Sequence, residues 1–363
     1  MSRHIPILSA VSLPPVTALT QTQLPVSHAI HLVPFFRFLD ELGAPVEHGV
    51  AQSKLPGRVV ESPDCYAPTE SVWAFIGKMA RSQDIPDLGL RVGYEGGLRM
   101  MGGGLVGELE RAASLLEGLQ NFSHVIHRES SEMACWLSED GDEVRFHLRK
   151  TFKPGVLGYR QTEWLGLMAM LTAIQFFAGP AWQPIRISVT SKGPAPALAS
   201  ELFGNTEFLT GQAEIYIAFP RAMLGLAHAL HGTDPRFQRP RRVAIGLGDD
   251  VPAADFANRL RQCLKPHLFD GYPDVRLAAD LLDTSPRTLQ RRLRELGTNY
   301  RAVVDGARLD LATRMLTRTD ATAADIGNVV GYSDASHFAR AFRRFTGMSP
   351  TEYRLAQDTH AER

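Results

Sequence analysis

Apolar positions recur most regularly between Asp274 and Tyr353. Leu277, Leu281 and Leu282 fall on one side of a helix. After Asp283-Thr284-Ser285-Pro286, Leu289, Leu293 and Leu296 do the same. The pattern then repeats. Ile326, Val329 and Val330 share a face, Gly331-Tyr332-Ser333-Asp334 intervenes, and Phe338, Ala341, Phe342 and Phe345 form a second apolar face. Spacing of three and four residues is the mark of amphipathic helices. The breaks have turn chemistry. Asp283-Thr284-Ser285 supplies a cap before Pro286 in a first helical turn. Gly331 suits a helix end, and Ser333 or Asp334 can cap the next helix. Two helix-turn-helix units in tandem are therefore expected.

Upstream the periodicity is mixed. Helices are expected over Ser27–Leu42, with Pro34 kinking the early turns, over Pro68–Ala80, and briefly over Asp87–Val92. Met133–Leu137 and Val144–Leu148 read as a hairpin turning at Asp140-Gly141. Gln161–Phe177 is apolar nearly all round, as a buried spine would be. Ile185–Val189 and Ala213–Phe219 read as strands, and Pro220–Leu230 as a short closing helix. Gly96–Gly107 is expected to be a flexible loop leading into a helix over Glu108–His127. Its Gly102-Gly103-Gly104-Leu105-Val106-Gly107 formally fits a dinucleotide fingerprint, but no β-run precedes it and no βαβ unit surrounds it. The fold class is thus an α+β amino-terminal sensor or oligomerisation domain followed by an all-α carboxyl-terminal domain with two tandem helix-turn-helix units. The expected divisions are a flexible lead-in over 1–26, the α+β domain over 27–231, a Pro- and Arg-rich linker over 232–250, and the helical domain over 251–357, opened by a helix at Asp255–Leu268.

Charge sharpens this picture only locally. The chain has 363 residues, with 39 basic and 39 acidic side chains, so its formal net charge is zero. On the second helix of each unit the balance is different. Arg287, Arg291, Arg292 and Arg294 face Glu295 alone, and Arg340, Arg343 and Arg344 stand on a helix with no acid between Ser336 and Thr346. With the apolar face committed to packing, such cations are expected to point outward. There a helix fits a DNA major groove and Arg can grip guanine or phosphate. A solvated pair of basic helices is the bland alternative, and the tandem repetition weighs against it. Arg239, Arg241 and Arg242 of the linker are candidate phosphate contacts or simply solvated.

Other chemistry is sparse. Cys65, Cys135 and Cys263 lie far apart without metal spacing, which predicts free, buried thiols in a reducing compartment. His124 and His127 are three residues apart but lack supporting ligands, so no metal or cofactor is expected. No hydrolase, phosphate-loop or metalloprotease motif is present, so no enzyme is expected. No apolar run is long enough for a membrane helix, and Met1–Pro25 lacks the compact apolar core of a signal peptide, so a cytoplasmic protein is expected. Trp73, Trp136, Trp164 and Trp182 are expected in the core, with one or two lining any pocket.

The run from Ile326-Gly327-Asn328 through Phe345-Thr346-Gly347-Met348-Ser349-Pro350, with Tyr353-Arg354 after it, resembles the DNA-binding domain of AraC/XylS transcription regulators. Ser285-Pro286-Arg287-Thr288-Leu289-Gln290-Arg291-Arg292-Leu293 carries the likeness into the first unit, and the resemblance covers about the last 110 residues. It implies that a long helix joins the units. Tyr300–Leu316 suits this, with Val303, Ala307, Leu311 and Met315 at near-helical spacing. It also implies that DNA is read early on each recognition helix. By position these residues are Arg287, Gln290 and Arg291, with Arg294 on phosphate, and Ser336 and Arg340, with His337 and Arg343 nearby. Ala335 and Ala339 stand where some relatives carry polar residues, so the second unit reads by methyl contact or mainly holds the backbone. Gly107–Leu148 and Phe203–Pro220 resemble, by pattern, the arabinose-binding-type domain of some of these regulators. The implied function is an effector-responsive transcription regulator, an activator in that family's manner. Its implied partners are double-stranded DNA, RNA polymerase, a small-molecule effector and a second copy of the chain. The alternative is an amino-terminal domain that only dimerises and binds no ligand.

Overall fold

Strand β1 (Val26–His28) opens the described chain and pairs antiparallel with β2 (Tyr66–Pro68), matching Val26 to Pro68 and His28 to Tyr66. The computed structural model describes residues 24–150, 155–229, 234–238 and 251–361. Between these strands a 3-10 turn (Ala29–Leu32) leads to α1 (Val33–Glu41), and α2 (Val46–Gln52) follows. The helix expected over Ser27–Leu42 is thus shorter, because Ser27 and His28 are held in the ladder. Pro34 sits in the first turn of α1, where a missing N–H costs nothing, so no kink is needed. Of the expected 1–26 lead-in, residues 1–23 lie outside the described residues, whereas Leu24 and Val26 are buried.

Helix α3 (Thr69–Ser82) and α4 (Leu88–Gly96) follow. The glycine-rich stretch corrects the expectation of a flexible loop. It forms a 3-10 turn (Gly97–Met100) and α5 (Gly103–Arg111). Burial of Leu98, Met100, Met101, Leu105, Val106 and Leu109 offsets the entropy lost in ordering glycine. The helix expected over Glu108–His127 is divided as well. Helix α6 (Leu115–Glu129) starts afresh at Ser114, whose hydroxyl accepts from Glu117 N at 3.3 Å. Glu117 reaches back to Ala113 N at 2.8 Å. That Ser-x-x-Glu spacing is a helix-start signal, and it is legible in the sequence.

Strands β3 (Met133–Asp140) and β4 (Glu143–Lys150) form the expected hairpin, with Gly141 at φ 63° in the turn. Helix α7 (Tyr159–Ala178) is the buried spine, followed by β5 (Arg186–Ser188), α8 (Ala197–Leu202), β6 (Glu207–Leu209) and β7 (Ile215–Pro220). The sheet order is β3-β4-β7-β5-β6, antiparallel except for β5 with β6. Its inner face presents Cys135, Leu137, Phe146, Leu148, Ile187 and Ile217 to a core completed by α6 and α7. In place of the helix expected over Pro220–Leu230, the chain after β7 forms a 3-10 turn (Arg221–Gly225), and residues 226–229 are not helical.

The carboxyl-terminal unit comprises α9 (Phe256–Leu264) continuing as a 3-10 turn, α10 (Val275–Leu281), α11 (Pro286–Glu295), α12 (Tyr300–Arg318), α13 (Ala323–Val329), α14 (Ala335–Thr346) and α15 (Pro350–Ala361). The joining helix α12 buries Val303, Ala307, Leu311 and Met315, the residues its spacing picked out. Two expected core positions come out otherwise. Leu296 is 53% exposed because the helix has ended before it, and Phe345 is 47% exposed at the last turn of α14.

The two units touch. Leu24, Val26 and Tyr66 share one apolar cluster with Phe256, Leu260 and Leu264. The Arg259 guanidinium donates to the carbonyls of Leu24 (3.0 Å) and Ala253 (2.7 Å). Lys54 Nζ meets Asp280 through its carboxylate at 2.9 Å and its carbonyl at 2.8 Å. The Arg58 guanidinium lies 4.6 Å from the centre of the Phe269 ring.

Candidate nucleic-acid interface

Each unit positions its second helix by the same local device. In the first, the chain leaves α10 through Asp283 at φ 45°, and Ser285 caps α11 by accepting from Thr288 N at 3.1 Å. In the second it leaves α13 through Gly331 at φ 79°, and Asp334 caps α14 by accepting from His337 N at 2.7 Å. The Asp334 carboxyl is held below the ordinary range by that N–H and by the charges of His337 and Arg340. Thr322 and Asp325 form a reciprocal capping box at the start of α13.

The apolar faces then decide where everything else points. Leu289 and Leu293 are buried on α11, as are Phe338 and Phe342 on α14. Helical periodicity leaves Arg287, Gln290, Arg291 and Arg294 exposed on α11, and Ser336, His337, Arg340 and Arg343 exposed on α14. All eight predicted residues therefore face solvent. Their intramolecular ties are weak. Arg291 stands 3.7 Å from Glu295, and His337 3.4 Å from Asp334, all on exposed side chains where ion pairs count for little.

Several cations are used otherwise. Arg292, expected to point outward with its neighbours, is half-buried with its guanidinium 3.7 Å from the centre of the Phe256 ring, so it braces α11 against α9. Burial lowers its pKa against the pull of Glu295. Arg308 of α12 donates to the carbonyls of Val330 and Gly331 and stacks 3.8 Å from the Tyr332 ring centre, clamping the second turn. Arg354 donates to the carbonyls of Leu316 (3.0 Å) and Ala321 (2.6 Å) and fixes α15 to the end of α12. Periodicity alone does not reveal these roles, because each depends on a carbonyl or ring brought in by another helix. The run Arg239–Arg242 lies outside the described residues.

The remaining candidates are placed as follows. His124 and His127 are both exposed on α6, and no group of three or more His, Cys, Asp or Glu suited to a metal occurs among the described residues. Cys65, Cys135 and Cys263 are all buried, and burial beside Asp64 pushes the Cys65 thiol up to about 12. No described helix is long and apolar enough to cross a membrane.

Comparison with known proteins agrees with this geometry. Residues 278–356 match the family model described as a helix-turn-helix domain. Residues 43–227 match that of the arabinose-binding domain of AraC transcription regulators, N-terminal. The ornithine utilization regulator of Pseudomonas aeruginosa is 34% identical over 194 residues, which cover 53% of this chain and 56% of that protein. The transcriptional regulator VirS of Mycobacterium tuberculosis is 26% identical over 336 residues, covering 90% of this chain and 95% of its own. The match to the regulator VqsM of Pseudomonas aeruginosa spans 26% of that protein. The crystal structure of the regulator CdpR from Pseudomonas aeruginosa aligns over 90% of this chain and 98% of its own, at 21% identity and a TM-score of 0.41. With one family model spanning half of its length and a second covering the tandem helices, the chain belongs to the AraC family of transcription regulators.

Proposed function

We propose that this protein is a sequence-specific transcription regulator that sets α11 and α14 into the major groove of double-stranded DNA. The observation that carries this reading is the solvent-facing set of eight polar side chains on two capped helices whose apolar faces are buried. Arg287, Gln290 and Arg291 of α11, and Ser336 and Arg340 of α14, contact base edges. Arg294 contacts phosphate, and His337 and Arg343 lie beside the readers of α14. The unit over 27–231 receives a small-molecule effector and pairs with a second copy, 232–250 links it to 251–357, and the protein acts in the cytoplasm together with RNA polymerase.

The direct experiment is a gel shift on the native promoter at fixed salt with Arg291→Ala and Arg340→Ala, singly and together. Each truncation is expected to cost about 1–3 kcal/mol of binding if it removes a bidentate base contact. Unchanged affinity in the double variant would remove this docking mode. Arg294→Ala should instead weaken binding evenly across sequences and reduce the salt dependence.

A further inference from the structure

An apolar cavity of about 70 Å³ lies inside the amino-terminal unit, between α3, α6, α7 and the β3–β4 hairpin. Trp73, Met100, Met101, Phe122, Ala169 and Met170 supply much of its wall. Its polar lining is one edge of His31, Glu129, Ser130 and Ser27, together with Thr162, whose hydroxyl accepts from Lys150 Nζ at 2.7 Å. His31 Nε2 stands 3.0 Å from Glu129 Oε2, and His31 Nδ1 pairs with the Met100 carbonyl at 2.8 Å. Glu129 also accepts the backbone N–H of Gly102. Beside this pair Ser130 Oγ bonds Ser27 Oγ at 2.7 Å. Glu129, Ser130 and Ser27 are all at least nine-tenths buried.

We infer that this cavity is the effector site and that its ligand is a small, uncharged, mainly apolar molecule carrying at most one hydrogen-bonding group. The inference rests on the reading of the chain as a regulator whose amino-terminal unit receives an effector. Charge decides the class. The ionisable side chains that line the wall, His31 and Glu129, are already paired with each other, and the buried Lys150 and Glu132 behind it are held by Thr162 Oγ1 (2.7 Å) and Ser130 Oγ (3.3 Å), so a charged ligand would enter a low-dielectric space with no counter-ion of its own. The hydroxyls and the Glu129 oxygens retain lone pairs that a single ligand O–H or N–H can use. Size is set by the wall. A cavity of about 150 Å³ holds benzene, so the space here admits only a few heavy atoms as it stands. Four of the lining residues, Met100, Met101, Met133 and Met170, have the side chain best able to make way for more.

The test uses the full chain with 1-butanol and benzyl alcohol as probes, and butyrate and butylammonium as their charged counterparts. Binding is followed by thermal shift and ligand-observed NMR. The alcohols are expected to bind saturably and the charged molecules not to. Ala169→Phe fills the space and should weaken the alcohols by about tenfold. Met101→Ala enlarges it and should tighten benzyl alcohol. Equal affinity in wild type and Ala169→Phe, charged probes that bind as well as 1-butanol, or no saturable binding to either wild type or Met101→Ala would each overturn the assignment. If Ala169→Phe gives no cooperative melt, the comparison of wild type with Met101→Ala decides alone. DNA affinity of the same preparations without probe separates the two readings. Its loss would sink the regulator reading, whereas intact DNA binding without probe binding would sink only this one.

Discussion

His31 and Glu129 illustrate what one buried pair does to both partners. Burial opposes charge on His31, but the hydrogen bond and charge of Glu129, with the Met100 carbonyl, outweigh it and raise the imidazole pKa. Burial likewise opposes charge on Glu129. The hydrogen bond from His31, the charges of His31 and His28, and the Gly102 N–H outweigh it and lower the carboxyl. The signs fix a pH window. The raised histidine contributes stability below its unfolded value of about 6.5, and that contribution is lost as pH rises through the higher folded value. The lowered glutamate contributes above its unfolded value of about 4.3, and that contribution is lost as pH falls through the lower folded value. The stability difference between wild type and His31→Gln should therefore be largest between about pH 4.3 and 6.5 and shrink on both sides. Denaturant unfolding across that range measures it, and a difference flat from acid to alkaline pH would contradict the pairing.

The two helix-turn-helix elements solve one backbone problem with different residues. Each must leave its first helix through the left-handed region, with Asp283 at φ 45° in one and Gly331 at φ 79° in the other. A β-carbon on Gly331 would meet Arg308 Nη2 at 3.6 Å, an ordinary contact, so replacement costs conformation rather than space. Gly331→Ala is expected to lose about 1–2 kcal/mol. Asp283→Gly relieves the same strain but frees the unfolded chain, so its effect should be much smaller. Thermal denaturation of the two variants compares them, and equal shifts would show that the turns are not built alike. The first turn declares itself in sequence through Ser285-Pro286 and the second through Gly331. The strained Asp283 does not, because aspartate caps helices far more often than it adopts positive φ.

At the scale of the whole molecule, β1 is shared. Ser27 lines the cavity while Val26, its neighbour, packs in the cluster that includes α9. The ties across this junction differ in kind. Lys54 and Asp280 have side chains 40% and 63% exposed, and Lys54→Ala should cost no more than about 1 kcal/mol. Arg259 is buried, and its loss leaves the Leu24 carbonyl without that donor, so Arg259→Met should cost about 1–3 kcal/mol. Hydrogen exchange should quicken in residues 24–28 and 256–264 of Arg259→Met and stay near wild type in Lys54→Ala. The reverse order would mean that the surface pair, and not the buried guanidinium, joins the units.

The amino-acid sequence by itself determined the tandem units, the joining helix and the outward face of the recognition helices. Each of these is a matter of local period and capping, and the information lies within one or two helical turns. It also marked the hairpin and the spine α7. Only the tertiary structure decided which cations still face solvent. Arg292, Arg308 and Arg354 carry the same charge as Arg291 or Arg340, but a ring or a carbonyl from another helix holds them. It alone decided that the glycine-rich stretch is helical, since the apolar partners that order it come from elsewhere in the chain. It alone placed a neutral ion pair at the edge of an apolar cavity. His31, Gly102 and Glu129 are far apart in sequence, and no local pattern records that folding brings them within hydrogen-bond reach.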